Sequence, residues 1–127
     1  MNSAALATSA YGAARDAVLT PRQIEYRAFA RVTHRLAAAA AEPDGPGRFA
    51  RLAEALHENT RLWGVLAADV ALPGNQLPDE LRAGIFALAE FSRRHGRMAL
   101  DGEVSVDALI DVNRAVMKGL RGRSEGV

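Results

Sequence analysis

Cysteine is absent from this 127-residue chain, which removes a disulfide framework, thiolate nucleophiles and thiolate metal ligands together. Lysine is almost absent too. Lys118 is the only one, so the basic side chains are arginines, either as a compositional habit of the coding sequence or as a choice of groups that make bidentate contacts. No apolar run approaches the roughly 18 residues of a membrane-spanning helix. The N-terminus has no basic stretch followed by an apolar core, so no secretory signal is read and the expected compartment is the cytoplasm. The formal net charge is +1, too small for a bulk field drawing the chain onto nucleic acid or a membrane surface. What remains, 49% apolar and 24% charged residues, is the balance of a soluble globular protein with room for one domain.

The stretch Leu52 to Ala71 holds the only tryptophan, Trp63. Phe49, Leu52, Leu56, Trp63, Leu66 and Val70 recur at spacings of three and four, which predicts a helix buried on one face. Asn59 fills the gap in that stripe. A buried asparagine without partners costs about 1–3 kcal/mol, so Asn59 either bonds a neighbour and fixes register or lines a partner groove. Leu62 and Val65 widen the apolar surface, so more than one neighbouring helix is expected. Gly64 costs up to about 1 kcal/mol in a helix interior; close packing of another helix, or a slight bend, would explain it.

Residues 1–19 are rich in alanine and serine and read as a flexible arm, with Tyr11 available to pin it. Thr20, Pro21 and Gln23 form a helix-start signature. The helix that follows has Ile24, Ala28, Phe29, Val32 and Leu36 inside, and Arg27, Arg31 and Arg35 as an outer stripe. That stripe is a solvated face or a strip for an acidic partner or RNA; no interleaved aromatic favours the RNA version. Glu42 to Gly47, EPDGPG, breaks the chain. The central helix is expected from about Pro46 to Ala71, about 39 Å long. Pro78 opens a third helix running to about Leu100, with Leu81, Ile85, Leu88, Ser92, His95 and Ala99 on one face and Phe91 at its edge. Phe86 stands on the opposite side near Arg82, Arg93 and Arg97, packed under the arm or another helix, or part of an exposed partner patch. Gly102 suits a left-handed helix end. Ser105 caps a last helix, with Val104 and Leu109 as a hydrophobic staple. Val106, Leu109, Ile110, Val116, Met117 and Leu120 form its inner face, interrupted by Asn113. Asn59 and Asn113 are expected to share a buried polar network, and His95 to donate a bond inside the bundle. The expected architecture is all-α: four antiparallel helices in a single bundle over residues 20–120, with the arm before it and a disordered tail at 121–127.

Catalytic constellations are not found. His57–Glu58 resembles the start of a zinc-protease motif, but the position four after His57 is Arg61, a cation where the second ligand belongs. His34, His57 and His95 fall on three different helices. Glu54/Glu58 and Asp107/Asp111 pair at i, i+4, as solvated helices commonly do. No metal, cofactor or catalytic residue is assigned, and the expected class is a non-enzymatic protein that binds other helices through apolar anchors.

The segments TPRQIEYRAFARVT, LAEALHENTRLWGVLAADVA, LPDELRAGIFALAEFSRRH and DGEVSVDALIDVNRAVMKGL, in that order and spacing, resemble the FlaF family of bacterial flagellar biosynthesis regulators over about Tyr11 to Gly119. The resemblance implies a small cytoplasmic protein needed for flagellin production and export. Such a protein acts chaperone-like on flagellin and in concert with FlbT, which controls flagellin mRNA translation. It brings no catalytic residues. Flagellin is thus the expected partner, with FlbT as a second and RNA as the weaker alternative; no membrane or metal partner is expected. Candidate contacts are Tyr26, Phe29, Trp63, Phe86, Phe91, Arg93 and Arg97.

Overall fold

The computed structural model describes residues 26–74 and 77–125, with side chains up to Lys118. Four helices and no strand occur among them: α1 Tyr26–Ala41, α2 Arg48–Ala71, α3 Asp79–Leu100 and α4 Asp107–Glu125. The expected arm, and the helix start at Thr20, Pro21 and Gln23, lie outside the described residues. So does Ile24, and the Leu120 side chain is not described. The boundary expected at residue 120 falls inside α4, whose backbone continues to Glu125.

Each helix ends for a local reason. Between α1 and α2, Gly47 adopts φ 80°, a left-handed turn that most side chains resist. It is Gly47, not Pro46, that delivers the chain into α2. Two arginines stake this corner. Arg48 Nε donates to Glu42 O at 2.7 Å, placing a cation where the α1 dipole is negative. Arg51 grips the Glu42 carboxylate at 2.7 and 2.5 Å. α2 stops where Leu72 turns extended at ψ 140°, as the residue before a proline must. α3 begins after Pro78, with Asp79 and Glu80 in its first turn. At its end, Gly102 N–H donates to Ala99 O (3.1 Å) and Glu103 N–H to Met98 O (2.9 Å). With Gly102 at φ 79°, this is a Schellman end. Ser105 Oγ then accepts from Asp107 N–H at 3.3 Å, capping α4, and Val104 packs on the cluster that contains Leu109.

The helices form a ring in which α2 packs against α1 and α3, and α4 closes it against α3 and α1. Contacts show the antiparallel sense. From Arg35 on α1 to Glu42 just past its end, the α2 partners fall from Glu58 to Arg51. Between α2 and α3, Gly96 lies against Thr60, where an added Cβ would stand 3.6 Å from Thr60 Oγ1.

The core divides into two apolar clusters. One gathers Phe29, Trp63, Leu66, Val70, Leu88, Val112 and their neighbours; the other is built on Val32, Leu36, Leu56, Ala99 and Leu109. Each helix also buries one polar residue: Thr33 on α1, Asn59 on α2, Ser92 on α3 and Asn113 on α4; Asn59 and Ser92 fall between the two clusters along their helices. The two asparagines meet across the bundle diagonal. Asn113 Nδ2 donates to Asn59 Oδ1 at 2.8 Å, and Trp63 Nε1 donates to Asn113 Oδ1 at 3.0 Å. An indole nitrogen can only donate, so Trp63 fixes the orientation of the Asn113 amide, and Asn113 fixes that of Asn59. The chain ends on Asn59 Nδ2, which has no hydrogen-bond partner, as Thr33 Oγ1 and Ser92 Oγ have none.

Three expectations are corrected. Phe49, placed in the buried stripe, is 63% exposed. It lies in the first turn of α2, ahead of the buried stripe that begins at Ala55. Gly64 meets nothing within 4 Å of an added Cβ, so close packing does not explain it; the tight approach between helices is at Gly96. Val112, absent from the expected α4 face, is fully buried.

Candidate partner-binding surfaces

Of the aromatic side chains expected to touch a partner, Trp63 and Phe29 are each 1% exposed. They pack edge to face, with ring centroids 5.5 Å apart at 78°, and the Trp63 N–H is spent on Asn113. Both are core residues, closed to a partner while the bundle is intact. Tyr26 is half-buried against the same cluster. Phe91 is half-buried and stacks on His95 at 5.1 Å and 25°. His95 is likewise half-buried and lies not in the bundle interior but at its end. There its Nε2 lies 3.1 Å from Ser105 O. A carbonyl only accepts, so Nε2 carries the proton, and the ring braces α3 to the entry of α4. Phe86, at 41%, is the aromatic candidate that reaches solvent.

The arginines expected beside Phe86 are partly occupied. Arg93 holds the Glu90 carboxylate through Nε at 3.1 Å and Nη2 at 2.6 Å, and Arg94 approaches the same carboxylate at 3.9 Å. Hydrogen bonding from Arg93 keeps the Glu90 carboxyl below the usual carboxylate range. Arg97 is exposed and forms no ion pair among the described residues.

A concave surface lies along the seam of α1 and α2, in two hollows that share a rim. The first, of about 570 Å³, has apolar side chains of Val32, Leu62 and Val65 between Arg31 on α1 and Arg61 on α2. Val65 is 55% exposed. The second, of about 290 Å³, is lined by His34, Glu42, Arg51, Glu54 and small alanines. Arg35 and Glu58 border both. They are bonded across the seam, with Arg35 Nη1 2.5 and 2.6 Å from the two carboxylate oxygens, and this contact raises the Arg35 pKa further above its already high value.

The sequence held weak signals for this seam. Arg31 and Arg35, two members of the stripe that Arg27 begins at four-residue spacing, mark the α1 wall. Arg61 drew notice only as a misplaced zinc ligand, and Val65 only as extra apolar width. Both positions lie four apart on α2, on the flank that the Arg35–Glu58 bridge assigns to α1. Among the described residues, no group of three or more His, Asp or Glu side chains could hold a metal ion, and no helix is long and apolar enough to cross a membrane.

No curated protein and no solved structure matches the chain. The family model described as flagellar protein FlaF matches residues 7–120. That span takes in all four helices up to the last turns of α4, and the chain belongs to the flagellar protein FlaF family.

Proposed function

We propose that this flagellar protein binds flagellin directly in the cytoplasm, as a non-enzymatic, chaperone-like factor supporting flagellin synthesis, secretion and flagellum assembly. The observation that carries the reading is the α1–α2 seam: a helical bundle of a flagellar family presents a concave, partly apolar surface with Val65 more than half exposed. The ends of flagellin are amphipathic helices prone to polymerise. Seating their apolar stripe against a helical groove covers the surface through which they would assemble. Pairwise pull-downs with purified components test this. Retention of flagellin without any third protein supports it; retention of FlbT alone, with flagellin in the flow-through, defeats it.

A second reading has its own observation. Phe86 is exposed on the helix that carries Arg93, Arg94 and Arg97, and a basic flank with an exposed aromatic would suit an adaptor that works through FlbT or RNA without holding flagellin. An RNA-bound form is expected to lose affinity steeply as salt rises, which a gel-shift series between 50 and about 200 mM salt would reveal.

A further inference from the structure

The two hollows of the α1–α2 seam differ in charge, and the difference selects an occupant. In the first, Arg31 and Arg61 stand on opposite walls, one from each helix, above the apolar surface of Val32, Leu62 and Val65. Among the described residues neither arginine forms an ion pair. The one acid lining the hollow, Glu58, is already held by Arg35. The hollow therefore offers two unmatched guanidinium groups flanking an apolar strip. In the second hollow Arg51 is matched to Glu42, and the remaining carboxylate, Glu54, is exposed without an ion pair.

We propose that the hollow of Ala28, Arg31, Val32, Arg61, Leu62 and Val65 is the docking site for a single partner helix whose apolar stripe is flanked by carboxylates. The seam is built from the sides of two helices, whose backbone N–H and C=O groups are paired within each helix. It can add no strand, and the mode left to it is a helix laid in a groove. A third helix packs its ridge of side chains into such a seam at an axis separation of about 8–10 Å. That brings flanking Asp or Glu side chains within reach of both arginine walls, where planar guanidinium groups grip carboxylates in bidentate fashion. The Arg35–Glu58 bridge closes one end of the hollow, and Glu54 beyond it repels acids. The partner's acidic residues are thus confined to the half lying over Arg31 and Arg61.

Charge also decides against the nearer occupants. Residues 1–25 of this chain carry Arg15 and Arg22 against Asp16 and Glu25, so that segment brings no acidic excess. A second copy using the same patch about a two-fold axis would set arginine against arginine. RNA would need bases stacked on aromatic rings, and this hollow has none. The inference deepens the flagellin reading by naming the surface and its chemistry; it rests on that reading only for the identity of the partner.

The test uses the full chain and two labelled amphipathic peptides of one leucine stripe, one flanked by Glu and the other by Lys, followed by fluorescence anisotropy. The wild type is expected to bind the Glu peptide at least about tenfold more tightly than the Lys peptide, a difference of about 1.4 kcal/mol. Arg31→Glu with Arg61→Glu is expected to reverse that order. Both side chains are exposed, so the variant's helical circular dichroism should match wild type. Equal affinity for the two peptides, or an unreversed preference in the folded variant, overturns the proposal; displacement of the Glu peptide by poly(U) reassigns the hollow to nucleic acid and overturns it too. Flagellin is then offered to both proteins. Undiminished binding by the variant overturns the placement and leaves the flagellin reading standing. Peptide selectivity without any flagellin binding by the wild type sinks that reading and supports the hollow as an acidic-helix site.

Discussion

Removing Asn113 tests the interior most severely. In Asn113→Ala two hydrogen bonds vanish, and two buried groups lose their partners: the Trp63 N–H and Asn59 Oδ1. Each orphaned buried group costs about 1–3 kcal/mol, so the expected loss is about 4 kcal/mol. That is a large share of the roughly 5–15 kcal/mol that holds a typical domain together. Asn59→Ala orphans only Asn113 Nδ2 and should cost about half as much. With Asn113 gone, Asn59 has no partner left to lose. The double variant orphans only the Trp63 N–H, at about 2 kcal/mol, and should therefore cost about 4 kcal/mol less than the two singles added. Urea unfolding reads this out through Trp63, the only tryptophan, which is buried in the fold and exposed on unfolding. The slope against urea should stay constant while the midpoint falls. Equal costs for the two single variants, or additivity within about 0.5 kcal/mol, would refute the idea that one connected chain of hydrogen bonds crosses the bundle.

Other perturbations probe neighbouring parts of the bundle. Thr33→Val and Ser92→Ala each delete a buried hydroxyl that has no partner, so each should leave stability unchanged or raise it by up to about 1 kcal/mol, measured by urea midpoint. Gly64→Ala adds a methyl group that meets nothing and should raise stability by about 1 kcal/mol, whereas Gly102→Ala strains a φ of 79° and should lower it by about 1–2 kcal/mol; thermal melts separate the signs. Bonds from Arg51 and Arg93 hold the carboxyls of Glu42 and Glu90 below their ordinary values. Their contribution is therefore complete above about pH 4.3 and lost as pH falls through the lowered values. Glu42→Gln with Glu90→Gln should flatten the acid limb of melting temperature against pH while leaving neutral pH nearly untouched.

The periodic signals carried most of the fold. Spacings of three and four placed all four helices, and Pro78, Gly102 and Ser105 marked boundaries between them because each acts through local backbone geometry. Asparagines interrupting two apolar stripes pointed to each other because a buried amide must find a partner. Sequence could not show what depends on which element lies alongside which. Phe49 fits the period of α2, but it precedes the part of the helix that is buried. Trp63 and Phe29 read as anchors for a partner, yet they anchor each other. The candidate surface was legible only in part. The arginine ladder on α1 stood out, but Arg61 and Val65 acquire meaning only once α2 is set beside α1 with Arg35 facing Glu58.

Direct contact with flagellin is the central proposal. Sedimentation velocity of the purified chain mixed with monomeric cognate flagellin, at micromolar concentrations of each, measures that contact without tags or immobilisation. A new, faster-sedimenting complex is expected that grows with concentration and is depleted by the Arg31→Glu, Arg61→Glu variant. Two boundaries that sediment as the separate proteins do, up to about 100 μM, where even a dissociation constant near 100 μM, worth about −5.5 kcal/mol, would register, contradict it.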